Sequence, residues 1–266
     1  MRPSKLSTEV RKHGGGGLFD RICENDAEKP VAQLLPRNIR MRRDELKRTP
    51  GAANNRLKAL KALFAWAIEE DKAPHDPTIG VKKVQYVTIN HHSWTEAEIE
   101  HYKARHPLDT KARLALDLLR FTSGRREDAV RLGPQHISAG RLQFRQAKNE
   151  HRNPVDIDIP VHPELTRSIE ATPSGHLTFL MTSYGRPYTP NGFGNAMRDW
   201  CNQANLPHCS AHGLRSATAT QLAENQATPH ELMAVTGHRS LEEVEGYTRA
   251  AEKKKLADAA MAKLRG

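Results

Sequence analysis

Residues 111–160 read KARLALDLLRFTSGRREDAVRLGPQHISAGRLQFRQAKNEHRNPVDIDIP. Two periods follow one another here. Leu114, Leu118 and Leu119 recur at helical spacing, and their run ends on a small turn, Thr122-Ser123-Gly124. Further on, Leu142 and Phe144 alternate with polar residues, as do Val155, Ile157 and Ile159. Residues 149–154 lie between these segments with turn composition, so a β-hairpin is expected, with Lys148 beside its bend. A helical period that gives way to a two-residue period predicts a mainly α fold with a small antiparallel β-sheet, an α+β class.

Working outward, Thr95-Glu-Ala-Glu98 is a capping signal that opens a helix. Residues 177–181 are expected as a third short strand. From Thr189 the pattern is helical, with stops at Pro207, Pro229 and Gly237. Residues 84–92 read as an extended linker. Before it, residues 19–83 read as helical, with breaks at Pro30, Pro36, Pro50-Gly51 and the prolines at 74 and 77. The clearest helix there covers about residues 53–70, with Leu57, Leu60, Phe64 and Ala67 or Ile68 as its apolar stripe. Asn54, Lys58 and Lys61 lie on another face with Arg56 nearby, a polar side suited to a DNA groove or simply to solvent. Residues 1–17 are polar and basic, end in four glycines, and read as a flexible leader. The expected organisation is a helical unit over 18–85, a linker over 86–92 and a second unit over 93–266.

Lys and Arg outnumber Asp and Glu by 41 to 31. Residues 1–92 hold 18 basic and 11 acidic side chains, most of the net excess of +10. A basic N-terminal unit favours an anionic partner, most simply nucleic acid. Cys23, Cys201 and Cys209 are odd in number and lack close pairing, which argues against a disulfide framework. No apolar run approaches membrane-spanning length and no secretory signal is visible, so a soluble cytoplasmic protein with no membrane partner is expected.

Six residues suit one chemistry. A phosphodiester already carries negative charge, and more accumulates as a nucleophile adds. Two guanidiniums, Arg125 and Arg215, can hold its non-bridging oxygens in a fork that lysine cannot reproduce. The Tyr247 phenol can attack, provided that a base takes its proton. His212, one helical turn from Arg215, suits that task, and His238 can donate a hydrogen bond to the phosphate. Lys148 can return a proton to the leaving hydroxyl. Taken singly, each has an ordinary structural reading: a surface arginine, a turn lysine, a satisfied histidine, a core tyrosine.

Together, their order resembles the tyrosine recombinases of the phage integrase type. The first arginine box stands as Thr122-Ser123-Gly124-Arg125-Arg126-Glu127-Asp128-Ala129-Val130-Arg131-Leu132. Arg126 is a rival for the arginine role. Arg125 is preferred because Asp128 and Leu132 then fall at the usual offsets of three and seven. The strand lysine is Lys148, followed by Asn149 where many relatives have Thr. His212-Gly213-Leu214-Arg215, Gly237-His238 and Tyr247 complete the pattern. The resemblance covers about residues 18–85, as a core-binding domain, and 93–266, as a catalytic domain. It implies Asp128 as support around Arg125; the polar side of the 53–70 helix supplies Asn54, Arg56, Lys58 and Lys61 as candidate DNA-binding residues. It implies metal-independent transesterification through a 3′-phosphotyrosyl link, with no cofactor. The partners implied are double-stranded DNA, a homotetramer on paired sites, and DNA-bending accessory proteins. Leu256, Ala259, Ala260 and Leu264 form an apolar stripe that fits an exchanged C-terminal helix. The opening residues offer no first core-binding helix, which reads as a truncated start.

Two rivals follow from the same residues. Residues 216–236 have the length and composition of a helix-turn-helix, as in a non-catalytic DNA-binding regulator. A metal-dependent nuclease would draw on the 14 histidines, but no two of them show a ligand pattern with carboxylates, so no metal is expected.

Overall fold

The computed structural model describes residues 30–87 and 91–264. The leader and the residues up to 29 lie outside the described part. The chain divides into two compact units, 1–89 and 90–266.

In the first unit, one 3₁₀ turn (Val31–Gln33) precedes helices α1 (Pro36–Asp44) and α2 (Pro50–Glu69). Pro36 and Pro50 begin these helices rather than breaking them, because proline lacks only the N–H that a first turn leaves unpaired. Ile39 of α1 packs with Leu57, Leu60, Phe64 and Ala67 of α2, and with Ala73 and Val81. Ile68 is exposed, so the stripe runs through Ala67. The helix expected over about 53–70 starts at Pro50 and ends at Glu69. Asp71 adopts a left-handed conformation (φ 50°), and Pro74 and Pro77 prevent the helix from resuming.

The second unit contains α3 (Glu96–Arg105), α4 (Lys111–Thr122), one turn α5 (Arg126–Ala129), strands β1 (Ile137–Ser138), β2 (Arg141–Arg145) and β3 (Asp156–Pro160), then α6 (Pro163–Ala171), α7 (Pro190–Gln203), α8 (Ala211–Glu224), α9 (Pro229–Thr236) and α10 (Leu241–Lys263). Thr95 caps α3 through the box foreseen from the sequence. Buried α4 is the axis of the core, with α6 and α8 packed on it. The sheet is antiparallel in the order β1-β2-β3, and Leu142 pairs with Ile159 and Phe144 with Ile157, so one face of the hairpin is buried.

The expected strand at 177–181 does not form. Its Phe179 N–H donates to the Leu132 carbonyl (2.8 Å), and only an isolated bridge joins Met181 to Pro187. The third strand is instead Ile137–Ser138, too short to show a period. The span 216–236 does form two helices joined by a short turn, with Ala217, Ala219 and Ala223 of α8 and Leu232 of α9 buried. No helix among the described residues is long and apolar enough to cross a membrane.

Candidate active site

Arg125 stands immediately before α5, and the turn behind it is built tightly. Ser123 closes α4 in the left-handed conformation (φ 50°). Gly124 N–H donates to Thr122 Oγ1 (3.0 Å), and a Cβ on Gly124 would fall 2.9 Å from that same oxygen. Buried Asp128 then braces two segments. Its Oδ2 accepts the Arg125 N–H (2.8 Å) and its Oδ1 accepts the Ala147 N–H (2.7 Å), which ties the arginine turn to the hairpin. The Arg125 side chain donates from Nη1 to Gln146 Oε1 (2.7 Å), and Gln146 Nε2 donates to the Thr236 carbonyl (3.0 Å) at the end of α9. Gln146 therefore links the first arginine, the hairpin and the Gly237-His238 corner. Gly237 has φ 68°, and a Cβ there would lie 2.5 Å from Gln146 Nε2, so this position requires glycine twice over.

Arg215, on α8, is only 5% exposed. Its Nη1 donates to the Ser123 carbonyl, while its Nη2 is buried with no hydrogen-bond partner. Burial, and then the nearby Arg125 charge, lower its pKa to about 10, which leaves it protonated at neutral pH. His212 lies one turn earlier, with its ring edge-on to His91 at 4.8 Å between centroids. Desolvation, followed by His91, Arg215 and Arg125, depresses its pKa. An open cleft of about 360 Å³ is lined by Gly124, Arg125, Arg126, Glu127, Lys148, Ala211, His212 and Arg215.

Lys148 sits exposed in the hairpin loop. Asn149 beside it has φ 62°, a conformation that asparagine tolerates and a β-branched threonine does not. Arg126, the rival arginine, also reaches the cleft, but its guanidinium rests against α7, where a Cβ on Gly194 would meet Nη1 at 2.4 Å. Of the two arginines, Arg125 is the one hydrogen-bonded to Gln146.

His238 and Tyr247 do not line the cleft. His238 lies close enough to Arg215 for that charge to depress its pKa. The two rings lie 6.3 Å apart between centroids. The Thr236 hydroxyl donates to the Leu232 carbonyl (2.7 Å), so it must accept from His238 Nδ1–H at 2.6 Å. In the neutral ring Nε2 is then a bare acceptor. Burial and the Arg215 charge lower the His238 pKa to about 4, so the ring is neutral at pH 7. Tyr247 is half-buried against the small cluster of Ala219, Ala223, Leu232 and Val244.

The four basic-helix candidates separate. Arg56 is 5% exposed and donates to the Arg42 carbonyl (2.8 Å) and to Glu45 (2.7 Å). Asn54 bonds Val84 in both directions, at 2.9 and 2.8 Å. Both are therefore committed inward, a correction to their reading as one DNA-facing set. Lys58 and Lys61 remain exposed. The sequence pattern assigned no role to Gln146, whose partners lie 21 and 90 residues away in the chain. It also missed a group of donors from His92, Glu98, His208 and Cys209, brought together across more than a hundred residues of chain.

Residues 84–254 match the sequence profile described as the Phage integrase family. Tyrosine recombinase XerD of Halalkalibacterium halodurans is 22% identical over 207 residues, covering 71% of this chain and 68% of that protein. The Tn1549 transposon integrase, in complex with circular intermediate DNA, has a similar fold (TM-score 0.72, 18% identity, 95% of this chain and 99% of that one). So does a lambda integrase tetramer bound to a Holliday junction (TM-score 0.70, 18% identity, 89% of this chain and 72% of that one). With the profile spanning more than half of its length, the chain belongs to the phage integrase family of tyrosine recombinases, enzymes of site-specific DNA recombination.

Proposed function

We propose that this chain cuts and rejoins double-stranded DNA through a 3′-phosphotyrosyl link at Tyr247, with the residues of one protomer sufficient for the chemistry. The observation that carries this reading is the buried Nη2 of Arg215, which has no hydrogen-bond partner. A buried cationic donor without a partner is costly unless an anion completes it. A backbone phosphate supplies that anion, and the second guanidinium, Arg125, opens on the same cleft.

In the proposed step, Tyr247 Oη forms a bond to phosphorus and the bond from phosphorus to the 5′-oxygen breaks. The tyrosine proton passes to an imidazole. His238 suits that role, since its ring neighbours Tyr247 and its Nε2 is free of a proton. To donate to the phosphate instead, it would first have to bind a proton. His212, in the cleft, contacts the phosphate, and Lys148 gives a proton to the departing 5′-oxygen. Asp128 and Gln146 position Arg125 without touching the DNA. The ester bond is conserved, so a different 5′-hydroxyl can reverse the step without ATP.

The remaining readings belong to the same proposal. The first unit, through Lys58 and Lys61, contacts DNA as a core-binding domain, and residues from about 93 onward form the catalytic domain. Leu256 on α10 and Leu264 at its C-terminal cap are 69% and 75% exposed, which supports docking of this helix on a second copy in a tetramer. The setting is the cytoplasm, at the nucleoid. The test is incubation with nicked suicide substrates made from DNA flanking the gene. A denaturation-resistant adduct is expected with the parent and not with Tyr247→Phe, which still binds DNA. An adduct formed equally by Tyr247→Phe would refute the nucleophile assignment.

A further inference from the structure

We infer that this chain carries a transition-metal site, suited to Zn²⁺, built from His92, Glu98, His208 and Cys209. The inference goes beyond the recombinase reading and does not depend on it, because none of these residues lines the cleft. One donor atom from each of the four lies within 4.8 Å of every other. Two imidazoles, a carboxylate and a thiol form the mixed nitrogen, oxygen and sulfur set that tetrahedral zinc accepts, and the thiol disfavours calcium or magnesium.

The geometry is nearly closed. His92 Nε2 lies 2.9 Å from Glu98 Oε1, and His208 Nε2 lies 2.6 Å from the same oxygen. Their rings meet edge-on at 4.8 Å between centroids. A tetrahedral zinc with bonds of about 2.0–2.3 Å would space its ligand atoms about 3.3–3.7 Å apart. To reach that spacing the imidazoles would retreat from the carboxylate by about 1 Å, and a donor pair as wide as 4.8 Å would close by about the same amount. Both side chains are substantially exposed and free to make that movement. The carboxylate is already held from behind: Glu98 Oε2 accepts from Thr95 N–H (2.7 Å) and Thr95 Oγ1 (3.0 Å). Such outer support is what a metal-bound carboxylate requires. Buried Cys209 closes the inner side and the imidazoles close the outer. An ion-pair cluster explains the carboxylate and the imidazoles and core packing explains buried Cys209, but a metal gives all four donors one shared role.

The site would act as a clasp. His92 lies near the start of the second unit, Glu98 is in the first turn of α3, and His208-Cys209 directly precede Ser210, which caps α8. The Trp94 indole N–H already donates to the Ser210 carbonyl (2.9 Å), and a Cβ on Gly213 would fall 2.1 Å from the His92 carbonyl. A metal would lock this close approach just upstream of His212 and Arg215. Binding releases the Cys209 thiol proton to solvent and requires a free Nε2 on each imidazole.

The experiment strips the full chain with chelator, then titrates it with Co²⁺ and back-titrates with Zn²⁺. Saturation at one equivalent is expected, with tetrahedral visible bands and a near-ultraviolet thiolate charge-transfer band that Zn²⁺ abolishes. Cys209→Ser should lose the charge-transfer band. His208→Ala, at an exposed position that folding does not need, should weaken Co²⁺ affinity at least about tenfold. Zn²⁺ at about a hundredfold excess over its Kd should raise the parental melting temperature by about 5 °C, and the rise should be absent in His208→Ala. A parent without a tetrahedral Co²⁺ spectrum overturns the proposal. So do a spectrum and a thermal shift that survive unchanged in both variants.

Discussion

Replacing Gln146 with Met tests whether Arg125 is aimed by its neighbour or finds the phosphate unaided. Met keeps the length and fills the buried position but removes two polar contacts: the Oε1 that holds Arg125 Nη1 and the Nε2 that satisfies the Thr236 carbonyl. A hydrogen bond to a charged group contributes about 1.5–3 kcal/mol. If Arg125 loses that much of its positioning in the transition state, adduct formation slows about ten- to a hundredfold. The Thr236 carbonyl, left unpaired, costs about 1–3 kcal/mol of stability. For a unit of this size each kcal/mol lowers the melting temperature by about 2–4 °C, so a folded variant is still expected. The assay is single-turnover adduct formation on a nicked suicide substrate at saturating protein, with DNA affinity measured separately by anisotropy. Slowed cleavage with near-parental affinity is the expected pattern. Parental cleavage by a cooperatively melting Gln146→Met would refute the idea that this glutamine positions the arginine.

Arg125→Lys should lose far more cleavage than binding, since lysine lacks the fork. A mild effect in the same adduct assay would shift the role to Arg126. The depressed His238 pKa means that the unfolded chain takes up a proton before the folded one, so stability is full above about pH 6.5 and falls as pH drops toward about 4. Urea midpoints against pH should show that loss, and His238→Gln should flatten it. Neutralising Lys58 and Lys61 should reduce the slope of log affinity against log salt by about 1.8, with melting unchanged. Arg56→Ala should instead lower the melting temperature of the first unit, because a buried contact to Glu45 is lost. Leu256→Ser with Leu264→Ser should weaken self-association in sedimentation while leaving monomer melting untouched, because both side chains are exposed.

The α+β class was legible because the helical and alternating periods around Arg125 and Lys148 are long enough to register. The hairpin, the capped start of α3 and the buried run in α4 all follow from residues adjacent in sequence. What escaped depends on distant chain. Strand β1 is two residues long and exists because β2 pairs with it, whereas the apolar run at 177–181 finds its hydrogen bond on Leu132 and never joins the ladder. In α2 a helical wheel placed Asn54 and Arg56 with Lys58 and Lys61, but it could not show that Val84 and Glu45 approach from elsewhere to claim the first pair. Likewise Glu98 was legible as a cap. Nothing local announced that His208, 110 positions further on, would reach the same carboxylate.

Helix α10 runs unbroken from Leu241 to Lys263 and carries Tyr247 near one end and exposed Leu256 toward the other, where Leu264 caps it. Leu256 stands nine residues past Tyr247, about 13 Å along a stiff rod. A rod of that kind transmits torque. Any neighbour that seizes the tail and rolls or slides it will swing the phenol with it, so the grip between copies and the reach of the attacking oxygen share one mechanical part.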